Sequence, residues 1–152
     1  MEALKVSDKV AVYPKKPLIK KGYYTGKLIE VKPRADKAGV LVESKYGHQL
    51  VLVFSVLKDG EELTYVEGSE TLRVELATLV YYDSKREDRY DTAVTANSKI
   101  TKIFEALGWT FNVESTLDVD SFVGKLAELN INDLEKENEV FSVIEGIAKL
   151  SE

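Results

Sequence analysis

GYYTGKLIEV, residues 22–31, decides the fold. It opens on glycine and is dense in β-branched and aromatic residues, the composition of a strand. A period of two puts Tyr24, Gly26 and Leu28 on one face and Tyr23, Thr25, Lys27 and Ile29 on the other. The first face is apolar and suits a core. The second carries a ring and a cation, and suits a surface with work to do. KPRADKAG, residues 32–39, follows with the proline, aspartate, glycine and charge of a loop.

The same alternation recurs on both sides. KVAVYP (9–14) alternates and stops at proline, and Pro14 and Pro17 interrupt the backbone because each lacks an N–H. GVLVES (39–44) and HQLVLVFSVL (48–57) read as two strands separated by a KYG turn. In the second, Leu50, Leu52, Phe54 and Val56 share one face, and Gln49, Val51, Val53 and Ser55 the other. KDGEE (58–62) is a turn, since Asp-Gly readily supplies positive φ. A short strand is expected near LTYV (63–66). TLRVELATLVYY (71–82) reads as a further strand, although its Leu, Ala and Glu also admit a helix. SKREDRYDT (84–92) reads as a charged loop.

One helix is expected over Ala96 to Leu107. Asn97 or Ser98 caps it, Ile100, Ile103, Phe104 and Leu107 form its apolar stripe, and Gly108 ends it. Asp118 to Phe122 reads as a short helical turn. KLAELNI (125–131) and VFSVIEGIAKL (140–150) read as a final hairpin joined through EKEN, with a C-terminal helix as the competing assignment. Six or seven strands with one inserted helix describe a mainly β chain, a small twisted barrel or a sandwich.

The chain has 152 residues and a net charge of -5, and that charge is uneven. Residues 13–48 hold nine Lys/Arg against three Asp/Glu, a local +6; residues 49–152 hold 10 against 21. Such polarity points to a polyanionic partner or an acidic flank, and equally fits two solvated faces. No cysteine is present, so disulfides and thiolate metal sites are excluded. The first residues contain no apolar signal region, and no apolar run approaches the roughly 20 residues of a membrane helix. A soluble, cytoplasmic protein without membrane association is expected.

Catalytic signatures are absent. His48 is the only histidine, so a His-rich metal site cannot be built, and it is read as a polar residue at a strand start. There is no Gly-x-Ser-x-Gly elbow, no phosphate-binding glycine loop and no calcium-loop spacing. The expectation is no enzyme, no catalytic residue, no metal and no cofactor, with an enzyme of dispersed carboxylates as a third reading.

What remains is cations mixed with aromatic rings on strands, the chemistry by which single-stranded nucleic acid is held: Lys and Arg follow phosphates while rings stack on bases. Three clusters carry it. The first is Tyr23, Lys27, Lys32, Arg34 and Lys37; the second is Lys45, Tyr46 and His48; the third is Tyr81, Tyr82, Lys85, Arg86, Arg89 and Tyr90. The binding residues expected from them are Tyr23, Lys27, Lys32, Arg34, Lys37, Lys45, Tyr46, Tyr82, Lys85, Arg86 and Arg89. Tyr24, in phase with Leu28, is expected in the core.

The order of elements also resembles a family. G-x-Y-x-G-x-L-x-x-V (Gly22 to Val31) is followed by Gly47-x-x-Leu50-x-Leu52-x-Phe54-x-Val56 and Asp59-Gly60. A helix ending Phe104-Glu105-Ala106-Leu107-Gly108-Trp109 comes next, and Phe122-Val123-Gly124-Lys125 leads into the last strands. This succession is similar to the OB-fold single-stranded-DNA-binding proteins of phage and archaeal virus or plasmid replication cassettes. The resemblance covers about residues 21–147 and lies in structural positions. One OB-like domain over 1–152 is expected, with a helix at 96–108, a final strand pair at 122–150 and an N-terminal arm at 1–20 that the resemblance does not place. The resemblance implies non-specific coating of single-stranded DNA in replication or recombination. RNA in place of DNA and a homodimer are compatible with it. The competing expectation is an OB-like protein-interaction module that binds no nucleic acid.

Overall fold

The computed structural model describes residues 17–151. The expected KVAVYP strand and most of the N-terminal arm lie outside the described residues. GYYTGKLIEV forms the first strand, β1 (Gly22–Pro33), in the expected phase: Tyr24 is 8% exposed, Leu28 is fully buried, and Tyr23 is 71% exposed. HQLVLVFSVL forms β3 (Gly47–Lys58), which buries Leu50, Leu52, Phe54 and Val56. Asp59 and Gly60, both at positive φ, turn it into the two-residue strand β4 (Glu61–Glu62).

Three segments depart from the sequence reading. GVLVES contributes only β2 (Glu43–Ser44), plus an isolated bridge from Ala35 to Leu41. The Asp36 side chain accepts from the N–H groups of Ala38 and Val40, and this local turn competes with strand formation. The expected strand over 71–82 is divided. Residues 64–73 fold out as a ribbon of β5 (Thr64–Glu67) and β6 (Glu70–Arg73), and only β7 (Glu75–Tyr81) joins the main sheet. SKREDRYDT is no loop. It is a second ribbon, β8 (Asp83–Arg86) and β9 (Arg89–Thr92), turning at Glu87, which has positive φ.

The helix α1 runs from Lys99 to Ala106. Ser98 caps it, its hydroxyl accepting from Thr101 N–H, and Ile100, Ile103 and Phe104 enter the core. It is shorter than the 96–108 expected, because residues 96–98 form its approach and cap. Residues 119–122 make the anticipated helical turn. The chain closes with β10 (Leu126–Lys136) and β11 (Glu139–Ala148), a hairpin turning at Glu137 and Asn138, both at positive φ. The C-terminal segment is therefore strand, not helix.

These strands form one antiparallel path, β11-β10-β1-β3-β7. β1 is bonded on both edges: residues 22–27 pair with β10 and residues 25–33 with β3. Gly26 lies where the two ladders overlap, and a Cβ there would meet Leu129 Cδ1 at 2.4 Å. Ile29 is an extra residue in the β1–β3 register, a bulge that turns the strand after Leu28. The sheet curls until Cα atoms of β11 and β7 come within 8 Å of each other, with α1 against both. Among the described residues no ladder joins these end strands, so the sheet is not closed into the small barrel expected. The fold is mainly β, a curled open sheet with one helix at its seam. Among the described residues no helix is long and apolar enough to cross a membrane.

Ser55 corrects the alternation. It sits in the outward phase of β3 yet is fully buried, and its hydroxyl has no hydrogen-bond partner. Two substitutions test this packing by chemical denaturation. Tyr24→Ala should cost about 3 kcal/mol, as other large-to-small core changes do, while Tyr23→Ala should leave stability unchanged. Ser55→Ala should raise stability by about 1 kcal/mol, because it removes a buried hydroxyl that nothing satisfies.

Candidate nucleic-acid interface

The outer face of β3 and β7 is assembled by register. Gln49 faces Tyr81 and Val51 faces Leu79 across this ladder; on the other side Lys32 faces Val51. Arg34 continues the row past β1. Its N–H donates to Gln49 O at 2.8 Å, and its guanidinium Nη1 donates to Gln49 Oε1 at 2.7 Å. The result is an apolar strip, Val51 and Leu79, edged by Lys32, Arg34, Gln49 and Tyr81.

The β2–β3 turn adds Lys45 and Tyr46 at the end of this strip. Ser44 Oγ donates to Gly47 O at 2.9 Å and accepts from Tyr46 N–H at 3.2 Å, which tightens the turn. Tyr46 is 63% exposed, meets the edge of Tyr81 at 6.5 Å between centroids, and lies under Lys45 Nζ at 5.7 Å. Beyond Tyr81 the sheet and the start of α1 enclose a hollow of about 400 Å³. Gln49, Leu79, Tyr81, Ala93 and Lys99 line it, and Lys99 Nζ donates to Leu79 O at 3.3 Å.

His48 points the opposite way from Gln49, as neighbours on a strand must. Its ring lies between Tyr82 and Tyr90, at 5.9 and 4.8 Å between centroids. Asp83 accepts from His48 N–H at 2.6 Å and meets His48 Nδ1 at 2.8 Å. Gly47 makes this approach feasible: its φ is +141°, and a Cβ would lie 2.4 Å from Asp83 O. Glu43 completes the arrangement, bonded to Lys85 Nζ at 2.7 Å and to Tyr90 Oη. The Lys85 hydrogen bond holds the Glu43 carboxyl below the usual carboxylate range and holds the Lys85 ammonium above its ordinary value. The pair is therefore formed across neutral pH. Its stabilisation is lost as pH falls through the depressed Glu43 value or rises through the elevated Lys85 value. Burial, and then the Asp83 charge, push the Tyr82 phenol up. This side of the sheet is a clamp that fixes the β8–β9 ribbon.

The expected binding residues thus separate. Lys32, Arg34, Lys45 and Tyr46 come together on the outer face. Tyr82 and Lys85 belong to the clamp on the other side, Tyr82 through its ring against His48 and Lys85 through its ion pair with Glu43. Arg86 and Arg89 sit at the tip of the β8–β9 ribbon, where Arg89 is paired with Asp91 at 3.3 Å. Lys37 is exposed in the loop after β1. Tyr23 and Lys27 are remote, nine and five strand steps from Lys32, or roughly 30 and 16 Å. Lys32 is itself paired with Glu30 at 3.5 Å, both exposed. Arg34, Lys37, Lys45 and Arg86 have no carboxylate within ion-pair distance among the described residues.

Sequence reasoning missed Gln49 and Lys99 as members of the face. Gln49 carried a signal, a polar residue in the outward phase of an otherwise apolar strand. Lys99 carried none, since its position over Leu79 comes from how the helix packs. A comparison of the chain with protein-family models finds no match, and neither does a comparison with curated proteins.

The clamp has a direct test. Asp83→Ala leaves the His48 N–H and ring nitrogen without their partner. Amide hydrogen exchange over residues 83–92 should accelerate, with a stability loss of about 1–3 kcal/mol. Unchanged protection in this ribbon would mean that Asp83 does not hold it.

Proposed function

We propose that this chain binds single-stranded nucleic acid, without sequence specificity and without catalysis, on the outer face of β3 and β7. The observation that carries the reading is convergence. Arg34, Tyr46, Tyr81 and Lys99 come from four separated segments and surround one apolar strip and one hollow. Rings beside unpaired cations supply stacking and phosphate contacts together, and both are indifferent to base identity.

The strand order supports an OB-like reading of the sheet. An OB-fold is a five-stranded, partly open barrel that binds oligonucleotides across strands 2 and 3, flanked by the loop between strands 1 and 2. The five-strand path of this chain, open between its end strands, is compatible with that description. β3 and β7 are then strands 2 and 3, and residues 34–42 are the flanking loop. DNA in a replication or recombination setting is the substrate the resemblance suggests, inside a host cell if the source is viral.

The second reading, a protein-interaction module, is favoured by two observations. Acidic partners take up Lys32, Lys85 and Arg89. Leu134 and Phe141, a cross-strand pair on the β10–β11 hairpin, are both substantially exposed.

Fluorescence anisotropy with a labelled oligo-dT separates the two. Binding should weaken with salt, with a slope in log K against log salt of about -0.7 per phosphate contacted; three to five contacts give roughly -2 to -3.5. Tyr46→Ala should weaken binding about five- to a hundredfold, the loss of one stacking ring. Tyr23→Ala should change it little. Glu43→Gln should leave binding nearly unchanged, because the Lys85 it frees lies on the other side of the sheet. A flat salt response, or no binding at low salt, refutes the proposal and favours the protein-interaction module.

A further inference from the structure

A hollow beside the end of α1 lies outside every cluster the sequence suggested. It measures about 660 Å³ and is lined by Thr92, Val94, Trp109, Phe111, Asn112 and Thr116, among others. None of its lining residues is charged. Trp109 packs one side against the core while remaining partly exposed, so the indole is seated rather than loose. Phe111 stands perpendicular to it, at 5.8 Å between centroids and 89°. Asn112 Oδ1 is occupied by Glu114 N–H, which leaves the amide nitrogen as the group able to donate.

We propose that this hollow is a base-binding pocket, in which one unpaired nucleobase of a bound strand stacks against Trp109 or Phe111. This rests on the single-strand-binding reading above and extends it to a second location. The chemistry selects the ligand. An uncharged lining offers no partner for a phosphate or for a charged peptide side chain. Two rings at right angles fit a flat ligand, one as a platform and the other as a wall. Hydroxyls and an amide at the rim suit a flat group whose edges carry donors and acceptors, which describes a nucleobase. The position agrees. Ala93 lines the hollow beside Tyr81, while Thr92, Val94 and Ala96 line this one. The two hollows therefore adjoin along residues 92–96.

Trp109 is the only tryptophan of the chain, so its emission reports on this pocket alone. The test titrates the full chain with labelled oligo-dT of roughly 16 nucleotides, an upper site size for one OB fold. Anisotropy and tryptophan emission are followed together. A second titration uses an abasic oligonucleotide of equal length. The expected result is saturable quenching by oligo-dT with the anisotropy midpoint, and binding of the abasic strand without quenching. Phe111→Ala should weaken oligo-dT binding about five- to a hundredfold and leave abasic binding unchanged. Anisotropy that reports binding with unchanged emission overturns the pocket and leaves the outer-face reading intact. Equal quenching by the abasic strand overturns it too, because the signal then needs no base. Absence of any anisotropy change at low salt refutes the single-strand reading and the pocket with it.

Discussion

A single strand bonded along both edges sets the shape of this molecule. β1 gives residues 22–27 to β10 and residues 25–33 to β3, so it belongs to two half-sheets that must lean over one core. Where the ladders overlap, Leu129 occupies the volume a side chain on Gly26 would need. The Ile29 bulge follows immediately and twists the second half. The consequence for function is orientation. With the inner face committed to Leu28, Leu52, Phe54 and Leu129, the outward positions of β3 and β7 are left as a solvent-facing strip.

The opening between β11 and β7 is the second consequence. A closing ladder would need their backbones at about 4.8 Å, the ordinary spacing of paired strands. Instead α1 packs against both strands and buries Ile100, Ile103 and Phe104 in the core. The seam is thereby filled by side chains rather than by a ladder. The helix start delivers Lys99 to the edge of the outer face, which links a packing solution to the electrostatics of the site. The clamp of Asp83, His48 and Glu43 acts similarly at the far end. It occupies Lys85 and Tyr82 in holding a ribbon, and so decides which basic residues remain for a ligand.

Much of this was legible in the residues. The opposite phases of Tyr23 and Tyr24, the Ser98 cap, the Asp59-Gly60 turn and the final hairpin follow from local rules of alternation and turn chemistry. The features that were not legible are tertiary. SKREDRYDT has the composition of a loop, yet it pairs with itself because Asp83 is anchored on His48 and Lys85 on Glu43. Ser55 alternates outward and is nevertheless buried. Tyr23 and Lys27 belong to the same basic segment as Lys32 and Arg34, but an extended strand carries them to the other end of the sheet. Trp109 stood in the sequence only as the residue after the helix-ending Gly108 and Phe111 carried no signal; the hollow they line with residues 92–96 is tertiary.

The central claim is that the ligand lies along one face and at one end of the sheet, not over the whole basic segment. Backbone amide chemical shifts, recorded on the isotope-labelled chain during addition of unlabelled oligo-dT, test it most directly. The account predicts shifts at residues 32–34, 45–51, 79–82 and 99, joined by 92–96 and 109–116 where the second hollow is filled, with Tyr23 to Lys27 unchanged. Perturbation centred on Tyr23 to Lys27 with the β3–β7 face silent would contradict it.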